Sequence, residues 1–568
     1  MSFRARDGGF RLTSTHFHVV PALPLLIRRS KRSHLTIHQL NVKMVWNHTS
    51  TVTASSLQVP FLGNLVESLS VTALAILFTT YAILYFAQTI PLSKNEPPII
   101  PSRIPFLGHV LGMLFQGGRY VKNLGLQNPH HPIFTLPIPL SRIYIITSPT
   151  LALPLQRLPP STLSFTPLIP SITKRVLGLN PHTVDVISQA MDPLPGQHIG
   201  FLADMADLVK STLAPGEEMS ALLSRMEHEL KSLLNAYVPP PPSQREVDLL
   251  AWTRNLVALA TARTLYGASN PLEGLEGSFW EFDHGLGGLL VGIWPQVTAR
   301  KAYRGREKLV QSFAAWLRNG KHKEADVAPI IANRVAMAAK HGWELQEVAR
   351  SEVSFLFAGI VNTATTSFWG VLQTFNDPKL LGGLRAELAV DPNSKTIDAR
   401  LRDVKLLLEA VVNECLRLGS DTYSTRVVVP KEGVEVEVKG KEYWFQGGAV
   451  VQISGGTIHA SKENWGEDAT EFKPERFLKG VSFKNFRAFG GGQTLCPGRN
   501  FALAVVRLLI AMVVTKFDIE VVGGKLPEKE DGVLPVHILE PKERVMVKVS
   551  VRDERKFGDF GATDKTSR

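Results

Sequence analysis

Cysteine is almost missing from this sequence: Cys415 and Cys496 are the only two in 568 residues. That excludes a disulfide scaffold, and the separation of the two excludes a Cys-x-x-Cys zinc site. So little cysteine suits a reducing compartment such as the cytosolic face of a membrane. Acidic residues are scarce at the start. Residues 1–43 hold eight Lys or Arg against one Asp, so this stretch carries +7 of the +12 net charge. The modest remainder includes no basic run interleaved with aromatics, which excludes a nucleic-acid groove. No glycine fingerprint for a flavin or dinucleotide is present. Between about 100 and 555 there is no repeat or low-complexity block beyond the Pro239–Pro242 loop. With 44% hydrophobic and 20% charged residues, disorder is excluded as well.

Charge is absent in one long apolar stretch, Ser68 to Gln88. At 1.5 Å per residue it measures about 30 Å, enough to cross a bilayer, although a buried core helix has the same composition. We expect a lead at 1–67, a transmembrane anchor at 68–90 and a proline-rich extended hinge at 91–105. Lys94, Arg103, Arg119 and Lys122 follow the span, which favours a cytosolic body. The basic stretch 1–43 argues the other way unless translation starts at Met44; a transit peptide is the rival reading. A start at Met44 would put the Asn47-His48-Thr49 sequon on the lumenal side, where Asn47 is a glycosylation candidate.

Beyond the hinge, helical periodicity dominates, at 204–236, 249–266, 301–319, 345–375, 378–390, 402–418 and 498–516. Short β-rich pieces fall at 132–147, 424–430, 434–453 and 544–552. The expected fold class is mainly α with small β-sheets, in one large domain over 106–555, followed by a polar tail at 556–568.

The most specific segment runs from Phe489 to Ala502. Gly490, Gly491 and Gly492 let backbone approach something bulky, as only residues without Cβ allow. Cys496 follows that turn, just before Pro497 and a helix, where peptide dipoles and free N–H groups favour a thiolate. Taken alone, the pattern is better explained by an inert cysteine beside a tight turn.

The segment resembles the cytochrome P450 haem-binding signature, Phe-x-x-Gly-x-(Arg/His)-x-Cys-x-Gly, through Phe489, Gly492, Cys496 and Gly498. The resemblance implies haem b with Cys496 as its iron ligand and Phe489 and Gly492 in the cofactor-binding loop. Thr494 stands where the family has Arg or His facing a haem propionate. Upstream, Glu414 and Arg417 share a helix face and match the family's Glu-x-x-Arg. With Arg476 of Pro474–Phe477 they correspond to a buried structural triad. Arg426, nine residues past Arg417, corresponds to an arginine that reaches a haem propionate.

A third element is the helix around Phe355 to Trp369. Phe355, Gly359, Asn362, Thr363 and Thr366 lie on one stripe. Either the small and polar groups serve helix packing, with hydroxyls bonded back to the preceding turn, or they form an oxygen-binding groove. Resemblance favours the groove, with Asn362 and Thr363 as catalytic candidates. Val361 and Asn362 replace the usual acid and alcohol. Asn362, Thr363, Phe368 and Trp369 are similar to the branch containing cholesterol 7α-hydroxylase and prostacyclin synthase, and the style is that of fungal secondary-metabolism members.

The resemblance implies a P450 fold with one N-terminal transmembrane helix in the endoplasmic reticulum membrane. It implies a monooxygenase that hydroxylates or epoxidises a lipophilic terpenoid, sterol or polyketide, with electrons from NADPH–cytochrome P450 reductase. Lys484 and Arg487 are candidate docking charges, though plain solvation accounts for each singly. Phe355, Ala358, Asn362, Thr363, Thr422–Ser424 and part of Phe279–Trp294 are expected to line the pocket. Two alternatives stay open: a haem-thiolate isomerase or dehydratase needing neither dioxygen nor reductase, and a non-catalytic haem- or lipid-binding protein.

Overall fold

The structure, a computed structural model, describes residues 60–552 except 194–196, 198, 238–243, 390–405 and 480–482. The basic lead, Met44, the Asn47 sequon, the Pro239–Pro242 loop, the expected helix start at 402–405 and the tail at 556–568 lie outside the described residues.

A 30-residue helix, Pro60–Thr89, begins eight residues before the expected anchor. From Thr72 its side chains face outward: Leu74, Leu77, Phe78 and Phe86 are each about two-thirds exposed or more. A core helix of equal apolarity behaves oppositely, as the mostly buried helix Leu345–Asn376 does. The segment 91–105 is not a free extended hinge. Gln88 clasps it, donating to the Ser102 carbonyl at 2.9 Å and accepting from the Ser102 N–H at 3.2 Å. Ile99 bridges Thr135, and the Thr135 hydroxyl donates to the Pro97 carbonyl at 2.8 Å. Proline lacks an N–H but keeps its acceptor, so this stretch docks through its carbonyls.

The body is helix-rich with three small sheets. One sheet has the order β1-β2-β8-β5-β3, from Ile133–Ile138 (β1), Ser141–Ile146 (β2), Leu163–Ser164 (β3), Tyr423–Val428 (β5) and Val450–Ser454 (β8). A second joins Arg245–Asp248 (β4), Met546–Val551 (β10) and Phe517–Val521 (β9). The third is the hairpin of Val434–Val438 (β6) and Lys441–Phe445 (β7). Most contain the expected β-rich pieces; β3, β4 and β9 do not. The expected helix 204–236 is two, Phe201–Thr212 and Glu217–Tyr237, because Pro215 and Gly216 interrupt it.

Leu345–Asn376 is the central helix. It packs against Leu249–Tyr266, Arg300–Arg318 and Arg499–Lys516. Their buried Leu, Val, Ile and Phe side chains form the main core, with smaller clusters around the five-stranded sheet. Central helix, sheet and the loop before Arg499 therefore surround one interior space.

Candidate active site

The loop from Phe489 to Gly498 owes its shape to glycine at two places. Gly490 and Gly492 have φ of +73° and +61°, where side chains are strained. A Cβ on Gly492 would also sit 2.2 Å from the Gln156 carbonyl oxygen, and one on Gly491 2.3 Å from Gln156 Oε1. The loop thus closes against Gln156. The Cys496 N–H donates to the Phe489 carbonyl at 3.1 Å, which sets the cysteine at the mouth of the turn. The helix Arg499–Lys516 starts three residues later. Burial pushes the Cys496 thiol up, opposed by the Gly498 N–H and the Arg499 charge. The helix end therefore does not outweigh burial at this thiol.

Cys496 opens onto a cavity of about 470 Å³, also lined by Ala358, Gly359, Asn362, Thr363, Arg426 and Arg487. That volume lies within the usual range for small-molecule sites. Ala358 and Asn362, one turn apart in the middle of a mostly buried helix, are exposed. They face the same cavity as Cys496. Phe355 and Thr422–Ser424 line it as expected. No residue of Phe279–Trp294 does, and Val209, Leu213, Leu222 and Leu265 take that place. Part of the displaced stretch, Asp283 to Val291, borders a second cavity with Met113, Val533 and His537.

Two guanidiniums supply the cavity's charge. Arg426 is 4% exposed and donates to Thr494 Oγ1 at 2.5 Å, the Thr425 carbonyl at 2.8 Å and Ser424 Oγ at 3.3 Å. Arg487 is 7% exposed and donates to Gln156 Oε1 at 3.2 Å and to the Lys484 carbonyl, while its Nε has no partner. Arg487 is therefore no docking charge; it is an interior cation that sequence reasoning misassigned. Arg499 donates to the Cys496 carbonyl at 3.3 Å and does not border the cavity. Among the described residues, no Asp or Glu lines the cavity. An apolar cavity with a thiol at its floor and two buried cations that form no ion pair among the described residues fits an iron-bearing planar ligand with carboxylates.

On the central helix the two readings divide. The hydroxyls of Thr365, Thr366 and Ser367 donate back to the Val361, Asn362 and Thr363 carbonyls at 3.2, 2.7 and 2.8 Å. Asn362 Oδ1 accepts from the Ile538 N–H at 2.8 Å, pinning backbone that borders the cavity. Thr363 borders the cavity.

Glu414, Arg417 and Arg476 come together beneath the site. Arg417 Nε and Nη2 donate to the two Glu414 oxygens, both at 2.7 Å, and Arg476 Nε to Oε1 at 3.0 Å. Arg417 also ties down the His459 carbonyl at 2.7 Å. His459 Nε2 in turn accepts from the Arg487 N–H at 2.9 Å. Burial lowers the His459 pKa to about 3, keeping it neutral and able to accept.

A helical body that presents a thiol on a glycine loop to such a cavity has the arrangement a haem-thiolate protein would need. The cytochrome P450 family model matches residues 295–549. The chain is 27% identical over 505 residues to the cytochrome P450 monooxygenase nodJ of Hypoxylon pulicicidum, covering 84% of this chain and 94% of that one. It is 24% identical over 485 residues to cytochrome P450 7B1 of Mus musculus, covering 78% and 90%. The retinoic acid-bound structure of cyanobacterial CYP120A1 superimposes with a TM-score of 0.62 at 19% identity, over 81% of this chain and all of that one. The chain is thus similar to cytochromes P450 along most of its length, and it shares their fold.

Proposed function

We propose that this P450 is a monooxygenase that hydroxylates or epoxidises a lipophilic small molecule, with Cys496 as the iron ligand of haem b. The observation that carries the reading is the single cavity shared by Cys496, the exposed Ala358–Asn362 turn and Arg426. The bound haem supplies the activation of dioxygen. Arg426 neutralises one haem carboxylate, while Phe489 and Gly492 fix the loop that presents the thiol. Asn362 holds Ile538 through Oδ1 and keeps its Nδ2 hydrogens for a ligand in the groove. An amide does not titrate near neutral pH. Thr366 is committed to a helix carbonyl, so proton transfer falls to the Thr363 hydroxyl and water.

The apolar lining suits a terpenoid, sterol or polyketide of secondary metabolism. With no flavin or dinucleotide fingerprint in its sequence, the chain takes electrons from NADPH–cytochrome P450 reductase. The exposed helix ending at Thr89 anchors it in the endoplasmic reticulum membrane with a cytosolic body. One observation favours a second reading: among the described residues no carboxylate lines the cavity to relay protons, as suits an isomerase or dehydratase.

Turnover of a panel of terpenoids, sterols and polyketides, with reductase present, separates the two. Product should require NADPH and dioxygen. Asn362→Ala should lower the rate and raise peroxide release, and Asn362→Thr should keep part of the coupling. Full turnover without NADPH or dioxygen would overturn the monooxygenase reading.

A further inference from the structure

Thr494 leaves the haem loop without the cation that the family signature places there, yet the cavity lining carries a second buried cation, Arg487. We propose that Arg487 is the second carboxylate anchor of the haem, replacing the side chain missing at 494. The inference rests on the haem-thiolate reading above. Three observations carry it. First, Arg487 borders the same cavity as Cys496 and Arg426, and neither arginine forms an ion pair among the described residues. Second, Arg487 Nε is buried without a partner. A buried cation left unpaired is strongly unfavourable, so an anion is the missing counterpart. Third, the two guanidiniums are joined by a short bridge. Arg426 donates to Ser424 Oγ at 3.3 Å, Gln156 Nε2 donates to Ser424 Oγ at 3.0 Å, and Gln156 Oε1 accepts from Arg487 at 3.2 Å.

That bridge sets both forks at the Gln156 end of the loop, as two carboxylates on one ring edge require. His459 holds the Arg487 backbone from behind. Thr494 is itself exposed, and its hydroxyl accepts from Arg426. It supplies no charge but braces the first anchor.

The test compares wild type, Arg487→Met, Arg487→Lys and the double variant Arg487→Met/Thr494→Arg in the full chain. Haem transfer to excess apomyoglobin gives the rate of haem loss, and thermal unfolding with and without haem gives the folding consequence. Arg487→Met should lose haem at least tenfold faster, Arg487→Lys less so, and Thr494→Arg should restore retention. Without haem, Arg487→Met should unfold no lower than wild type, because it removes an unpaired buried charge. Haem loss within twofold of wild type overturns the assignment. So does equal destabilisation of the loaded and haem-free Arg487→Met, or failure of Thr494→Arg to rescue. These outcomes concern Arg487 alone; the axial ligand is read separately from the spectrum of the wild type.

Discussion

Replacing Glu414 by alanine removes the carboxylate on which two arginines converge. Glu414 and Arg417 are essentially inaccessible to water, and Arg476 is only 10% exposed at its side chain. Glu414 also accepts from the Lys473 N–H at 2.9 Å. Arg417 keeps the His459 and Ala469 carbonyls, at 2.7 and 2.6 Å, but no longer has a counter-charge. Breaking one partner of a buried ion pair costs about 3–5 kcal/mol, a large share of typical domain stability. Glu414→Gln keeps an acceptor for one arginine and loses the charge, so a smaller loss is expected, roughly half. Because Arg417 holds His459 and His459 holds Arg487, haem retention should fall with stability. Urea unfolding of the haem-free protein gives the first quantity, and haem content after purification gives the second. A Glu414→Ala variant destabilised by less than about 1 kcal/mol, the range of surface pairs, would refute the reasoning.

Gly492→Ala should accumulate little haem, since its Cβ would meet the Gln156 carbonyl at 2.2 Å where φ is already +61°; normal haem content contradicts the packing. Burial, with Glu540 adding to it, raises the Asp283 pKa to about 7, against His284 and Arg254, which pull it down. A raised carboxyl pKa means the protonated fold is favoured, a contribution full below about pH 4 and lost as pH rises through 7. Asp283→Asn should therefore gain on wild type by up to about 4 kcal/mol between those limits, and a difference in unfolding midpoints that is flat with pH contradicts it. Deleting residues 1–88 should release much of the protein from microsomes, read by fractionation. Protection of the body from protease inside sealed microsomes would reverse the proposed orientation.

Local signals were the legible ones. The central helix and the helix after Cys496 were readable to within a residue or so, because their ends carry no ambiguity of period. The loop glycines and the Glu414–Arg417 spacing were legible because each is a local geometric demand. Arg487 was not. Its burial depends on Gln156, 331 residues away in sequence, and nothing local shows which way a lone arginine between Phe486 and Ala488 turns. Likewise the apolar stretch Phe279–Trp294 shows that something is lined without showing which cavity. The break at Pro215-Gly216 was legible and simply outweighed by the apolar period on either side. Strands β3 and β4 are too short, at two and four residues, to show alternation.

The central claim is thiolate ligation by Cys496, and the most direct measurement is the absorption spectrum of the reduced protein under carbon monoxide. Wild type should show the strongly red-shifted Soret band of thiolate ligation. Cys415→Ala should keep it, because that thiol is buried and pushed far up in pKa by desolvation. Cys496→Ala should lose it. A wild-type spectrum typical of histidine ligation, or a Cys496→Ala variant that retains the thiolate band, would contradict the account.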